Sequence, residues 1–186
     1  MGSWGDEGVE RLQAFVRAAE RINEIVGRGV AWLTLGTVVV CFAVVVLRYV
    51  FSIGYVWLQE VYVWEHAAVF MLGAGYTFVH CGHVRVDIVY ARLSLRRRAW
   101  VDLLGTAIFL FPWLGIVVWH GSSFFALSWR LLEPSAQAGG LPGLFLLKTV
   151  IVVFCALVGL QGLALAVRSL LVLAGREDFA PGQPVH

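Results

Sequence analysis

Four ionisable side chains stand within or at the edge of stretches otherwise suited to lipid: Glu60, Glu65 and His66 in the run 57–79, and Lys148 near the start of the run 144–173. A charge inside hydrocarbon costs several kcal/mol, so each of these groups needs a partner or a task. Glu65 and His66 are the deepest, Glu60 lies nearer the outer end of its helix, and Lys148 stands at similar depth on another helix. This arrangement predicts that Lys148 pairs with Glu60 or Glu65; the other reading is that Glu65 binds an ion or a proton. Gln59, His66, Gly73 and His80 recur at seven-residue intervals, with Tyr62 and Thr77 beside them. On a helix they form one stripe. Stripes of small and polar residues mark helix contacts in membranes, so this one is a seam within the bundle or a docking face for another membrane subunit.

No catalytic constellation accompanies these groups. The sequence contains no nucleophile elbow, phosphate-binding loop or HExxH, and AGGLPG at 138–143 follows no strand. Cys41, Cys81 and Cys155 form neither CxxC nor zinc spacing, so neither a metal nor a disulfide is expected. Haem would need facing histidines. His66 and His120 fall at different depths and His80 and His83 beyond the inner end of the second span, so no cofactor is expected. The net charge of +2, with no basic block in a soluble domain, speaks against nucleic acid.

The elements that position these residues follow from composition. Of 186 residues, 60% are hydrophobic and 14% charged, a balance that suits lipid better than water. Val9, Leu12, Val16, Ala19, Ile22 and Val26 share one helical face and Glu10, Arg11, Arg17, Glu20, Arg21 and Glu24 the other. Residues 1–28 therefore read as an amphipathic segment lying on the membrane surface or against a partner. The uncharged stretch 29–47 reaches ~28 Å as a helix, enough to cross hydrocarbon. Four spans are expected, at about 29–50, 57–79, 100–127 and 144–173, followed by a tail at 175–186. Tyr55, Trp57, Tyr62 and Trp64 suggest an interfacial belt, and Pro112 is tolerable because neighbours satisfy the freed carbonyl. Residues 128–142 read as a Pro/Gly/Ser loop. The expected fold is all-α, a four-helix membrane bundle with an N-terminal amphipathic helix.

Arginines set the orientation. Arg11, Arg17, Arg21 and Arg28, then Arg85, Arg92, Arg96, Arg97 and Arg98, then Arg168 and Arg176 outnumber Arg48, Arg130 and Lys148 on the other side. The basic side stays cytoplasmic, which places both termini and the 80–99 loop there. The N-terminus, with early acids and no short apolar core, does not read as a signal peptide.

The stretch 57–94, WLQEVYVWEHAAVFMLGAGYTFVHCGHVRVDIVYARLS, resembles the small DctQ-type membrane subunit of tripartite ATP-independent periplasmic (TRAP) transporters. Trp57, Glu60, Leu72-Gly73-Ala74 and Gly82-His83-Val84-Arg85-Val86-Asp87 match its pattern, as do EPSAQAGGLPGLFLLKTVIVV and the later LQGLALAVRSL; the likeness covers roughly 10–173. Two positions depart from it: Gln59-Glu60 replaces two adjacent acids, and Glu65 stands where an apolar residue is expected.

The resemblance implies a bacterial inner-membrane subunit that braces a large transport subunit. That subunit takes up an organic acid with sodium, after delivery by a periplasmic binding protein. It further implies that Glu60 and Lys148 stabilise packing near the periplasmic face and that His83, Arg85 and Asp87 fasten the cytoplasmic turn. Arg96, Arg97 and Arg98 would anchor at lipid headgroups, and the 128–142 loop would face the binding protein. The competing readings are a haem- or quinone-binding anchor of a redox complex and an autonomous ion-coupled transporter using Glu65.

Overall fold

The computed structural model describes residues 3–80, 82, 90, 92–176 and 179. All regular structure among them is helical: α1 (Ser3–Tyr49), α2 (Val56–Val79), α3 (Leu95–Gly105), a π-turn (Thr106–Leu110), α4 (Phe111–Leu131) and α5 (Leu144–Leu173). The all-α class read from the sequence is what the chain adopts.

Helix α1 runs 47 residues without a break, ~70 Å at the usual rise. Its charged first half and apolar second half are therefore one rod. The amphipathic face of the first half is partly occupied within the chain. Val16 and Ala19 are buried against Ala164, with Leu160 and Val167 around them, and Val9 joins a second patch with Ala99, Leu171, Val172 and Phe179. Within the chain, part of the amphipathic face expected to lie on the membrane surface or against a partner rests on α5, where Ala164 leaves room for Val16 and Ala19.

α3, the π-turn and α4 form one continuous rod from Leu95 to Leu131. Pro112 lacks the N–H that the Ile108 carbonyl would accept, and the wide turn sits directly before it. α4 ends where Leu132 turns left-handed at φ 46°. The Glu133 N–H reaches back to the Ser128 carbonyl at 3.1 Å, closing the helix without a glycine. Gly143, at φ 109°, opens α5 from a conformation that costs an L side chain energy.

α5 is the axis of the bundle, touching α1, α2, α3 and α4. Half of the buried side chains among the described residues are its own, including Cys155, Leu157, Val158, Gln161 and Arg168. Gly162 lets the Leu110 side chain cross the helix surface, since a Cβ there would lie 2.6 Å from Leu110 Cδ2.

The outer surface inverts the soluble pattern. Trp32, Phe42, Phe70, Phe109 and Trp119 are each about 70–80% exposed. Such a surface belongs in lipid or under a partner. Three helical stretches, Glu7–Tyr49, Leu95–Leu131 and Leu144–Leu173, are long and apolar enough to cross a membrane. α2, which carries Gln59, Glu60, Glu65 and His66, is less apolar and is not among them.

Candidate functional site

The polar side chains singled out in the sequence fall into separate contacts along the bundle. At one end, Glu60 on α2 reaches into the loop between α4 and α5. One carboxylate oxygen accepts from the Ser135 hydroxyl and the other from the Leu141 N–H at 2.6 Å. Gly140 is required there, because a Cβ would stand 2.7 Å from Glu60 Oε2. The carboxylate thus organises the turn, further closed by Ser135 N–H to Leu141 O at 3.1 Å.

Lys148 pairs with neither Glu60 nor Glu65. Its ammonium sits 2.5 Å from Glu133 Oε2 and 3.6 Å from the centroid of Phe124. The expected pairing fails because the left-handed turn at Leu132 brings Glu133 back over the start of α5, while Glu60 is already bound by the loop. The Lys148 ammonium holds the Glu133 carboxyl below the usual 4.5.

Glu65 lies between α2 and α1. A Cβ on Gly36 would approach Glu65 Oε1 to 3.0 Å, and Glu65 Oε2 is buried without a hydrogen-bond partner among the described residues. His66 points outward and is exposed; Gln59 is half-buried. The seven-residue stripe therefore divides. Gly73 faces open space. His80, though exposed, reaches across to α1, its Nε2 2.8 Å from Glu24 Oε2 and its ring 4.3 Å from that of Tyr76. Glu24 also accepts from Arg28 Nε at 2.7 Å. Hydrogen bonding from His80 first, then from Arg28, lowers the Glu24 carboxyl from 4.5, against an opposing effect of burial.

A buried polar seam escaped the reading of the sequence. Asn23 Nδ2 lies 3.2 Å from Gln161 Oε1 and 3.4 Å from the Leu157 carbonyl, so α1 grips α5. α2 closes over this contact through Gly75, where a Cβ would fall 2.0 Å from Asn23 Oδ1. One turn away on α1, Glu20 Oε1 meets Arg168 Nη2 at 2.6 Å, with the Arg168 side chain only 6% exposed. The signal was present: Glu20 and Asn23 share a face of α1, and Gln161 and Arg168, seven apart, share one of α5.

The arginine triplet also divides. Arg96 and Arg97 are exposed, as anchors at headgroups would be. Arg98 is half-buried, donates from Nε to the Leu93 carbonyl at 3.0 Å and stacks over Tyr90 at 5.3 Å. Tyr90 in turn donates to Asp102 at 2.6 Å. Trp57 is 45% exposed beside Tyr55. His83, Arg85 and Asp87 lie outside the described residues. Among the described residues, no three His, Cys, Asp or Glu side chains stand close enough to share a metal ion. What these contacts do is hold helices in register.

No curated protein and no solved structure matches the chain. The family model described as "Tripartite ATP-independent periplasmic transporters, DctQ component" matches residues 37–172. That match runs from the apolar half of α1 to the end of α5 and takes in the Glu60 loop, Lys148, Gln161 and Arg168. The chain belongs to the DctQ family, the DctQ component of tripartite ATP-independent periplasmic transporters.

Proposed function

We propose that this chain is a non-catalytic brace. It packs against the large membrane subunit and stiffens it while that subunit moves an organic acid with sodium, after capture by a periplasmic binding protein. In this reading it crosses the bacterial inner membrane four times, with both termini in the cytoplasm. The loop 132–143, ordered by Glu60 and by the Lys148–Glu133 pair, faces the periplasm.

The observation that carries the reading is His66, exposed on the outside of α2 among apolar side chains. Lipid tails offer an imidazole nothing to bond with, whereas a neighbouring helix does. The internal polar groups support it in another way: Glu20–Arg168, Asn23–Gln161 and Glu60–Leu141 are each spent on fixing helices or a loop.

The test is purification of the tagged full chain from its native membrane in mild detergent. A large polytopic membrane protein is expected to accompany it, and His66→Phe is expected to reduce its yield. Solute uptake by vesicles holding this chain alone would overturn the proposal, as would its recovery as a solitary protein.

A further inference from the structure

A groove of about 510 Å³ runs between α1 and α2. Arg28, Ala31 and Thr34 line one wall; Phe70, Gly73 and Thr77 line the other. Its floor is open because Gly73 has no side chain, and that absence serves no packing within the chain: a Cβ there would meet nothing within 4 Å. Gly75, on the same helix, is crowded on every side and makes the contrast plain.

The groove has one charged end. Arg28 is the last charged residue before the uncharged stretch 29–47, which places its guanidinium at headgroup depth. Its side chain is 75% exposed. Nε is held by Glu24, which leaves both terminal nitrogens for a ligand. Glu24, the acid facing this site, is already shared between Arg28 and His80. From Arg28 the groove descends beside the apolar half of α1 as far as Thr34 and Phe70.

A cation at the interface above an apolar trough matches an anionic phospholipid, with the phosphate on the guanidinium fork and an acyl chain below. His66, the group a partner protein must cover, is not part of the lining. We propose that the α1–α2 groove is a binding site for one anionic phospholipid, held by Arg28 and admitted by Gly73.

Native mass spectrometry tests this on the full chain in maltoside micelles carrying equal phosphatidylglycerol and phosphatidylcholine. One phosphatidylglycerol is expected to remain bound in preference to phosphatidylcholine. Arg28→Gln removes a charge-assisted contact and is expected to lower that preference about tenfold. Gly73→Phe fills the trough and is expected to empty it of either lipid, while Arg130→Gln, exposed at the end of α4, leaves binding unchanged. Should Gly73→Phe lose its helical circular dichroism, Arg28→Gln, a change at an exposed side chain, decides the question. Equal retention of the two lipids, or an undiminished preference in Arg28→Gln, would overturn the site. So would a photo-crosslinker at Gly73 that joins protein instead of lipid in the native membrane.

Discussion

At the scale of single residues, what a side chain does depends on which groups already surround it. Gly75 and Gly105 are both helical glycines, yet they carry opposite expectations. A methyl at Gly75 collides with Asn23, which is itself fixed by Gln161 and the Leu157 carbonyl. Gly75→Ala should therefore cost about 1–3 kcal/mol through overpacking. Gly105 has nothing within 4 Å, so Gly105→Ala should gain up to about 1 kcal/mol from helix propensity. Unfolding in detergent by steric trapping reads both values.

Glu60 gives a second contrast. Glu60→Ala strips the Leu141 N–H of its acceptor, and hydrogen exchange at Leu141 should rise about tenfold. Glu60→Gln keeps one acceptor oxygen and should fall between that variant and the native chain.

The Glu133 carboxyl makes the same loop sensitive to pH. Its folded value lies below the ordinary 4.5, so the Lys148 contact adds stability above 4.5 and loses it as pH falls through the lower folded value. Protection of the loop amides, taken relative to the intrinsic exchange rate at each pH, should therefore fall on acidification below 4.5, and Lys148→Met should flatten that dependence.

At the scale of elements, α1 is held to α5 by a charge pair within an apolar contact. The Arg168 side chain is buried and that of Glu20 is 23% exposed. Glu20→Ala takes one carboxylate from a buried guanidinium and should cost about 1.5–3 kcal/mol, the range for a lost hydrogen bond to a charged group. The double change Glu20→Leu with Arg168→Met should cost less than the sum of the two single changes, since an apolar pair then replaces a coupled one. If the two effects simply add in SDS-induced unfolding, the pair is not coupled.

This contact also marks how far the sequence could be read. The apolar run 144–173 coincides with α5, because the hydrophobic stretch begins just past the Gly143 turn and ends where the helix does. The amphipathic face of residues 7–27 was equally plain, but its occupant was not. Asn23 and Gln161 are 138 positions apart, and nothing local says that one will meet the other. Lys148 misled for a related reason: depth along two helices suggested Glu60, while its partner lay in a loop whose path depends on a left-handed Leu132. Residue types that demand a partner are visible in a sequence; the partner is chosen by the packing of distant elements.

For the whole molecule, the number of crossings decides which surface faces which compartment, and α2 decides the number. Its hydropathy alone falls short because Gln59, Glu60, Glu65 and His66 occupy its first half. Packing argues the other way. Tyr76 lies on Gly27, Gly75 on Asn23 and Glu65 on Gly36, so α2 runs antiparallel to α1. It thereby passes beside the uncharged stretch 29–47. A helix fastened along that stretch is expected to share its depth, with Glu60 bound by the loop, Glu65 sheltered against Gly36 and the exposed His66 left for a neighbouring helix. Parity then becomes measurable. With α2 across the membrane, the loop 132–143 emerges opposite the N-terminus; were α2 to stay on one side, the loop and the N-terminus would share a compartment. A cysteine placed at Gln137, which is exposed, should react with a membrane-impermeant maleimide in intact spheroplasts. One placed at Arg97 should react only after the membrane is opened. A third cysteine, at the exposed Arg11 near the start of α1, should behave like the one at Arg97. Protection of Gln137 and Arg11 together while Arg97 reacts from outside would remove α2 from the membrane, whereas reaction of Arg11 and Arg97 from outside with Gln137 protected would mean that the basic residues do not set the orientation.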